Sequence, residues 1–106
     1  MPVSQETIRG VAQRIGEAAR ADRVVLFGSH ARGEAQEDSD VDLLVVSQSD
    51  LPRHKRSRAL YALFDPYPFP MDIIVYTPAE IAQALNRPAS FVAAVYAEGR
   101  EVYAGS

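Results

Sequence analysis

The fold is decided by Arg23-Val24-Val25-Leu26-Phe27-Gly28-Ser29 and, after an interval of ten residues, by Asp40-Val41-Asp42-Leu43-Leu44-Val45-Val46. The apolar part of each segment is short, nearly continuous and rich in β-branched residues. That pattern suits a strand covered on both faces. Gly28-Ser29 halts the first run and opens a turn or a single helical turn at His30-Ala31-Arg32-Gly33. The polar stretch Glu34 to Asp38 reads as a loop, and Ser39-Asp40 leads into the second strand.

Outward from this pair, the N-terminal segment reads as an amphipathic helix. Ser4 caps it, and Ile8, Val11, Ala12, Ile15, Ala18 and Ala19 recur at steps of three and four. On the other side, Ser49 or Asp50 announces a helix with Pro52 in its first turn and Ala59, Leu60, Leu63 and Phe64 toward the core. The alternating prolines of Asp65-Pro66-Tyr67-Pro68-Phe69-Pro70 force an extended connection. Met71 to Tyr76 is a third strand. Thr77-Pro78-Ala79-Glu80 is a capping box that starts a helix, interrupted at Asn86-Arg87-Pro88. A last apolar stripe, Phe91, Val92, Val95 and Tyr96, ends at Gly99, and Glu101-Val102-Tyr103 forms a short edge strand or a docked tail. Helices alternating with three apolar strands predict an α/β (α+β) fold, a small mixed β-sheet flanked by helices.

The 106 residues fit one compact domain over 1–106. Hydrophobic residues make up 47% and charged residues 24%, enough apolar surface to offset the entropy of ordering. The absence of Cys excludes disulfides, thiolate metal sites and cysteine nucleophiles. A net charge of -3 gives no general attraction to nucleic acid or to anionic lipid. Apolar runs fall far short of a membrane span, and no charged segment precedes an apolar leader, so the expected compartment is the cytoplasm.

The chemistry concentrates in Gly28-Ser29, Asp40-Val41-Asp42 and Asp72. On a strand, Asp40 and Asp42 would share a face, roughly 6–7 Å apart at the backbone. Carboxylates aimed at one point repel unless a cation lies between them, and oxygen-only ligands favour Mg²⁺ or Mn²⁺ over Zn²⁺. Asp72 interrupts an apolar run, where a charge is costly unless paired or metal-bound. If its strand lies beside the second, it completes a three-carboxylate cluster. Gly28 lets a phosphate approach the backbone, the Ser29 hydroxyl adds a donor, and Arg32 offers a planar fork for phosphate charge. An anion cradle beside a metal clamp suits a nucleoside triphosphate with its magnesium. A random chain of this length would carry the Gly-Ser and Asp-x-Asp pattern about once in a thousand.

Phe27-Gly28-Ser29-His30-Ala31-Arg32-Gly33 through Ser39-Asp40-Val41-Asp42-Leu43 resembles the signature of the nucleotidyltransferases of the polymerase-beta superfamily. More narrowly, the chain is similar to the minimal nucleotidyltransferases (MNT proteins) that accompany HEPN-domain partners. The resemblance implies a polymerase-beta-like nucleotidyltransferase fold, with Gly28 and Ser29 on the triphosphate and Asp40 and Asp42 on metal ions. Asp72 would match the third carboxylate, which binds the catalytic metal and helps activate the attacking hydroxyl. Arg32 lies outside the minimal signature. The implied activity is Mg²⁺-dependent transfer of AMP from ATP to a protein hydroxyl, as the antitoxin that neutralises a HEPN toxin. The alternatives are neutralisation by complex formation alone and modification of a small molecule such as an antibiotic. The latter relatives usually carry a second, acceptor-binding domain, so the short length favours a protein partner in a hetero-oligomer.

Three further features carry plainer readings. Arg53-His54-Lys55-Arg56-Ser57-Arg58 reads as a solvated basic face, with a contact to nucleotide, RNA or an acidic partner as the alternative. His30 reads as a polar turn residue. Tyr67 and Phe69 read as parts of a packed surface crossover.

Overall fold

The computed structural model describes residues 3–105. Helix α1, Gln5–Ala19, begins where the Ser4 side chain accepts from the Thr7 backbone N–H and ends at Arg20, whose φ is 51°. Strand β1 is Arg23–Phe27, the short helix α2 is Ser29–Arg32, and strand β2 is Val41–Val46. After a crossover, strand β3 is Met71–Tyr76, helix α4 is Pro78–Leu85, helix α5 is Phe91–Glu98 and strand β4 is Arg100–Ala104. The Thr77/Glu80 capping box is formed in full, and the Ser90 side chain caps α5. Among the described residues, no helix is long and apolar enough to cross a membrane.

The four strands form one mixed sheet in the order β3-β2-β1-β4. β1 pairs antiparallel with both β2 and β4, whereas β2 and β3 are parallel. One face is covered by α1 and the crossover: Ile8, Val11 and Ile15 pack with Val24, Leu26, Leu43, Val45, Phe64 and Phe69. On the other face, Val25, Leu44 and Val46 pack with Ile81, Val92 and Val95 of α4 and α5. Successive residues of β1 and β2 therefore enter opposite cores, which is why both strands read as nearly continuous apolar runs. The C-terminal Glu101-Val102-Tyr103 is part of a paired border strand, not a loose tail.

The crossover departs from expectation. A single helix from about residue 50 to Phe64 is replaced by a 3₁₀ turn, Arg53–Lys55, and a four-residue helix α3, Arg58–Tyr61. Leu60 and Phe64 are buried as expected, but Ala59 is exposed. The basic stretch is not a uniformly solvated face. The Arg56 side chain is only 9% exposed, donating to the Leu51 and Val75 carbonyls and to both oxygens of Glu80. Arg53 stacks over the Tyr76 ring, 4.1 Å from its centroid, and also pairs with Glu80. Tertiary partners for these guanidinium groups outweigh the local preference for one continuous helix. In the proline-rich connection Phe69 is buried, as a packed crossover requires, whereas Tyr67 is exposed.

Candidate active site

The end of β1 and the starts of β2 and β3 meet at one corner of the sheet. Asp42 lies opposite Phe27 of β1 on one side and opposite Asp72 of β3 on the other. By the alternation of the strands, both carboxylates project from the face that α4 and α5 cover. Asp40 stands one residue before β2, exposed on the approach that Ser39-Asp40 makes to it, and not on the strand with Asp42.

Gly28 joins β1 to α2 with φ 76° and ψ -156°, a region essentially reserved for glycine. A Cβ at this position would run into the Asp42 carboxylate. The residue is therefore glycine for two reasons, one in its own backbone and one in its neighbour. Its carbonyl accepts from the backbone N–H groups of Ala31 and Arg32, each at 3.1 Å, which winds the single turn of α2 that carries Ser29 and Arg32.

The electrostatics of this corner are those of crowded anions. The Asp42 carboxyl is pushed above the ordinary carboxylate range, first by burial and then by the negative charges of Asp72 and Asp40; His30 and Arg32 oppose the shift. All the acidic donors are hard oxygens, which fits a divalent cation such as Mg²⁺ or Mn²⁺. Among the described residues, no three acidic or imidazole groups are already drawn together as a ready cation cage. The sheet brings Asp42 and Asp72 side by side, and Asp40 is close enough to be felt but is not packed against them. Arg32 is exposed and engaged elsewhere, its guanidinium 2.8 Å from Glu34 and 3.2 Å from Glu98.

Two rings that sequence reasoning undervalued hold this corner in shape. His30 is no exposed turn residue: it is 5% exposed, and its Nε2 lies 3.2 Å from the carbonyl oxygen of Ser39. It thus ties α2 to the residue immediately before Asp40. Tyr61, at the end of α3, accepts the Ile73 backbone N–H at 2.8 Å and lies 3.5 Å from the Met71 carbonyl. No local pattern around either ring announces these contacts, because both partners are backbone groups from other elements.

The nucleotidyltransferase domain family matches residues 7–95, which is most of the chain. A Methanocaldococcus jannaschii protein described as a "putative protein adenylyltransferase" is 38% identical over 56 residues, covering 53% of this chain and 56% of that protein. The chain thus matches little more than half the length of that relative. Among solved structures, a Sulfolobus solfataricus protein described as a "putative nucleotidyltransferase" superposes with a TM-score of 0.62 at 20% identity, covering 94% of this chain and 83% of that one. The structure of a tri-AMPylated Shewanella oneidensis HEPN toxin in complex with MNT antitoxin matches with a TM-score of 0.53 at 16% identity, covering 97% and 74%. At these identities the two structures establish the kinship of fold.

Proposed function

The chain belongs to the nucleotidyltransferase domain family, and from that membership we propose that it transfers AMP from ATP to a hydroxyl group of a protein partner. The observation that carries the reading is the in-register pair Asp42 and Asp72 beside Gly28, a carboxylate site and a close backbone approach at one corner. The relative described as a protein adenylyltransferase supports AMP and a protein acceptor. The AMPylated toxin bound to its MNT antitoxin supports a HEPN-type partner in a hetero-oligomer, with this chain as the antitoxin.

In this reading Gly28 and Ser29 receive the triphosphate, which can approach the backbone because Gly28 has no side chain. Arg32 contributes positive charge; its present partners are exposed, so exchanging them for phosphate costs little. Asp40, Asp42 and Asp72 would hold the divalent cation. When bound, such an ion neutralises phosphate charge and lowers the pKa of an attacking hydroxyl. The acceptor oxygen forms a bond to the α-phosphorus, the bond to the bridging oxygen breaks, and pyrophosphate leaves. The acceptor proton passes to the carboxylate of Asp72, which is exposed on the border strand β3.

The test is incubation with labelled ATP, Mg²⁺ and a HEPN-domain protein as the partner. Label should appear on the partner with the wild-type chain and not with Asp42→Asn, and equal labelling by that variant overturns the assignment. Co-expression of the Asp40→Asn/Asp42→Asn double variant separates catalysis from occlusion: full protection by it would make complex formation the operative mechanism.

A further inference from the structure

β3 is a border strand of the sheet. The Pro70 and Tyr76 carbonyls accept from Val41 and Ser47 on the β2 side. In a parallel pair the intervening residues Met71, Ile73 and Val75 therefore turn their peptide groups outward. The Tyr61 hydroxyl meets two of those groups, the Ile73 N–H at 2.8 Å and the Met71 carbonyl at 3.5 Å. Asp72 is the residue between them. The longer of these contacts is at the outer limit for an O–H donor, so Met71 holds the phenolic proton weakly. The negative charge of Asp72 is also felt at this hydroxyl.

We propose that Tyr61 is the positioning residue of Asp72, clamping the peptides on both sides of it so that its carboxylate is aimed at a divalent cation. This rests on the reading of Asp40, Asp42 and Asp72 as the cation site. Simple protection of the sheet border does not require an acidic residue at the centre of the contact. Arg56 protects the same border at the Val75 carbonyl, where the intervening residues are Ile74 and Tyr76. Groups that orient a metal-binding carboxylate from outside typically change metal affinity by roughly 10–100-fold when removed.

The experiment is Mn²⁺ binding to the full chain, read by the loss of the free-ion paramagnetic resonance signal, with no acceptor or nucleotide present. Tyr61→Phe keeps the ring and removes only the hydroxyl, and it should bind Mn²⁺ at least about tenfold more weakly. Ser90→Ala, which removes the side-chain cap of α5, should loosen the fold without changing Mn²⁺ affinity. Wild-type affinity in Tyr61→Phe overturns the proposal, and so does equal weakening in Ser90→Ala, which would make the effect one of general stability. No binding by the wild-type chain, or no weakening in Asp42→Asn, overturns the cation-site reading and this proposal with it. In the unaltered chain, Mg²⁺ should shift the carbon resonances of the Asp72 carboxyl and of the hydroxyl-bearing Tyr61 ring position together. A Tyr61 resonance that stays still while Asp72 moves overturns the proposal even if Tyr61→Phe does not fold.

Discussion

Asp42 and Asp72 are register partners on adjacent parallel strands, and the first is half-buried with its carboxyl pushed upward by burial and by the second. The charged form of Asp42 is therefore less favourable in the folded chain than in the unfolded one, and above its folded pKa it costs stability. Asp42→Asn should raise the melting temperature of the metal-free protein, by about 4–8 °C for each kcal/mol relieved. The same change should abolish AMP transfer. Calorimetry without divalent ions checks the first outcome, and a lowered melting temperature would contradict the strain described for this corner.

Gly28→Ala should be destabilising by about 1–3 kcal/mol from backbone strain alone, with a further penalty from the Cβ meeting the Asp42 carboxylate. Gly10→Ala offers the contrast. Gly10 lies in α1 with nothing near an added Cβ, and alanine there should stabilise by roughly 0.5–1 kcal/mol. Urea unfolding of the two variants should move the midpoint in opposite directions.

His30→Leu should keep the apolar volume of α2 but leave the Ser39 carbonyl without its partner, at a cost of about 1–3 kcal/mol. Amide exchange should quicken from Glu34 to Asp40, where the loop loses its tie to α2. His30→Gln, which retains a donor, should recover part of the loss. Unchanged exchange in that loop for His30→Leu would show that the imidazole does not secure the approach to Asp40.

Glu80 carries the acid sensitivity of the crossover. Hydrogen bonds from Arg56 and from the Thr77 backbone hold its carboxyl down at about 2, against an ordinary value near 4.5. The stabilisation is complete above the ordinary value and is lost as pH falls through about 2. Wild type should therefore lose stability between about pH 4.5 and pH 2 more steeply than Glu80→Gln, which lacks the titrating group. Parallel slopes over that interval would show that the Arg56–Glu80 pair contributes nothing that titrates.

The sequence made β1, β2 and β3 legible because each is a short apolar run feeding two cores, and the capping box at Thr77 marked α4 directly. The juxtaposition of Asp42 with Asp72 was legible only as a condition on strand order, which the parallel pairing of β2 with β3 meets. The crossover was misread for a related reason. A basic, helix-favouring stretch says nothing of Arg56 turning inward to the Val75 carbonyl, or of Tyr61 reaching the Ile73 N–H. His30 was undervalued because its partner is a backbone carbonyl nine residues on, to which no side-chain pattern points.

Tyr61 and Arg56 also make the sheet directional. With the Met71 carbonyl, the Ile73 N–H and the Val75 carbonyl already engaged by side chains, an incoming strand finds the ladder along β3 interrupted. β4, at the opposite border, pairs among the described residues with β1 alone. The corner that holds Asp72 is thereby kept from templating chain-to-chain β-aggregation, and a neighbour must meet it through side chains.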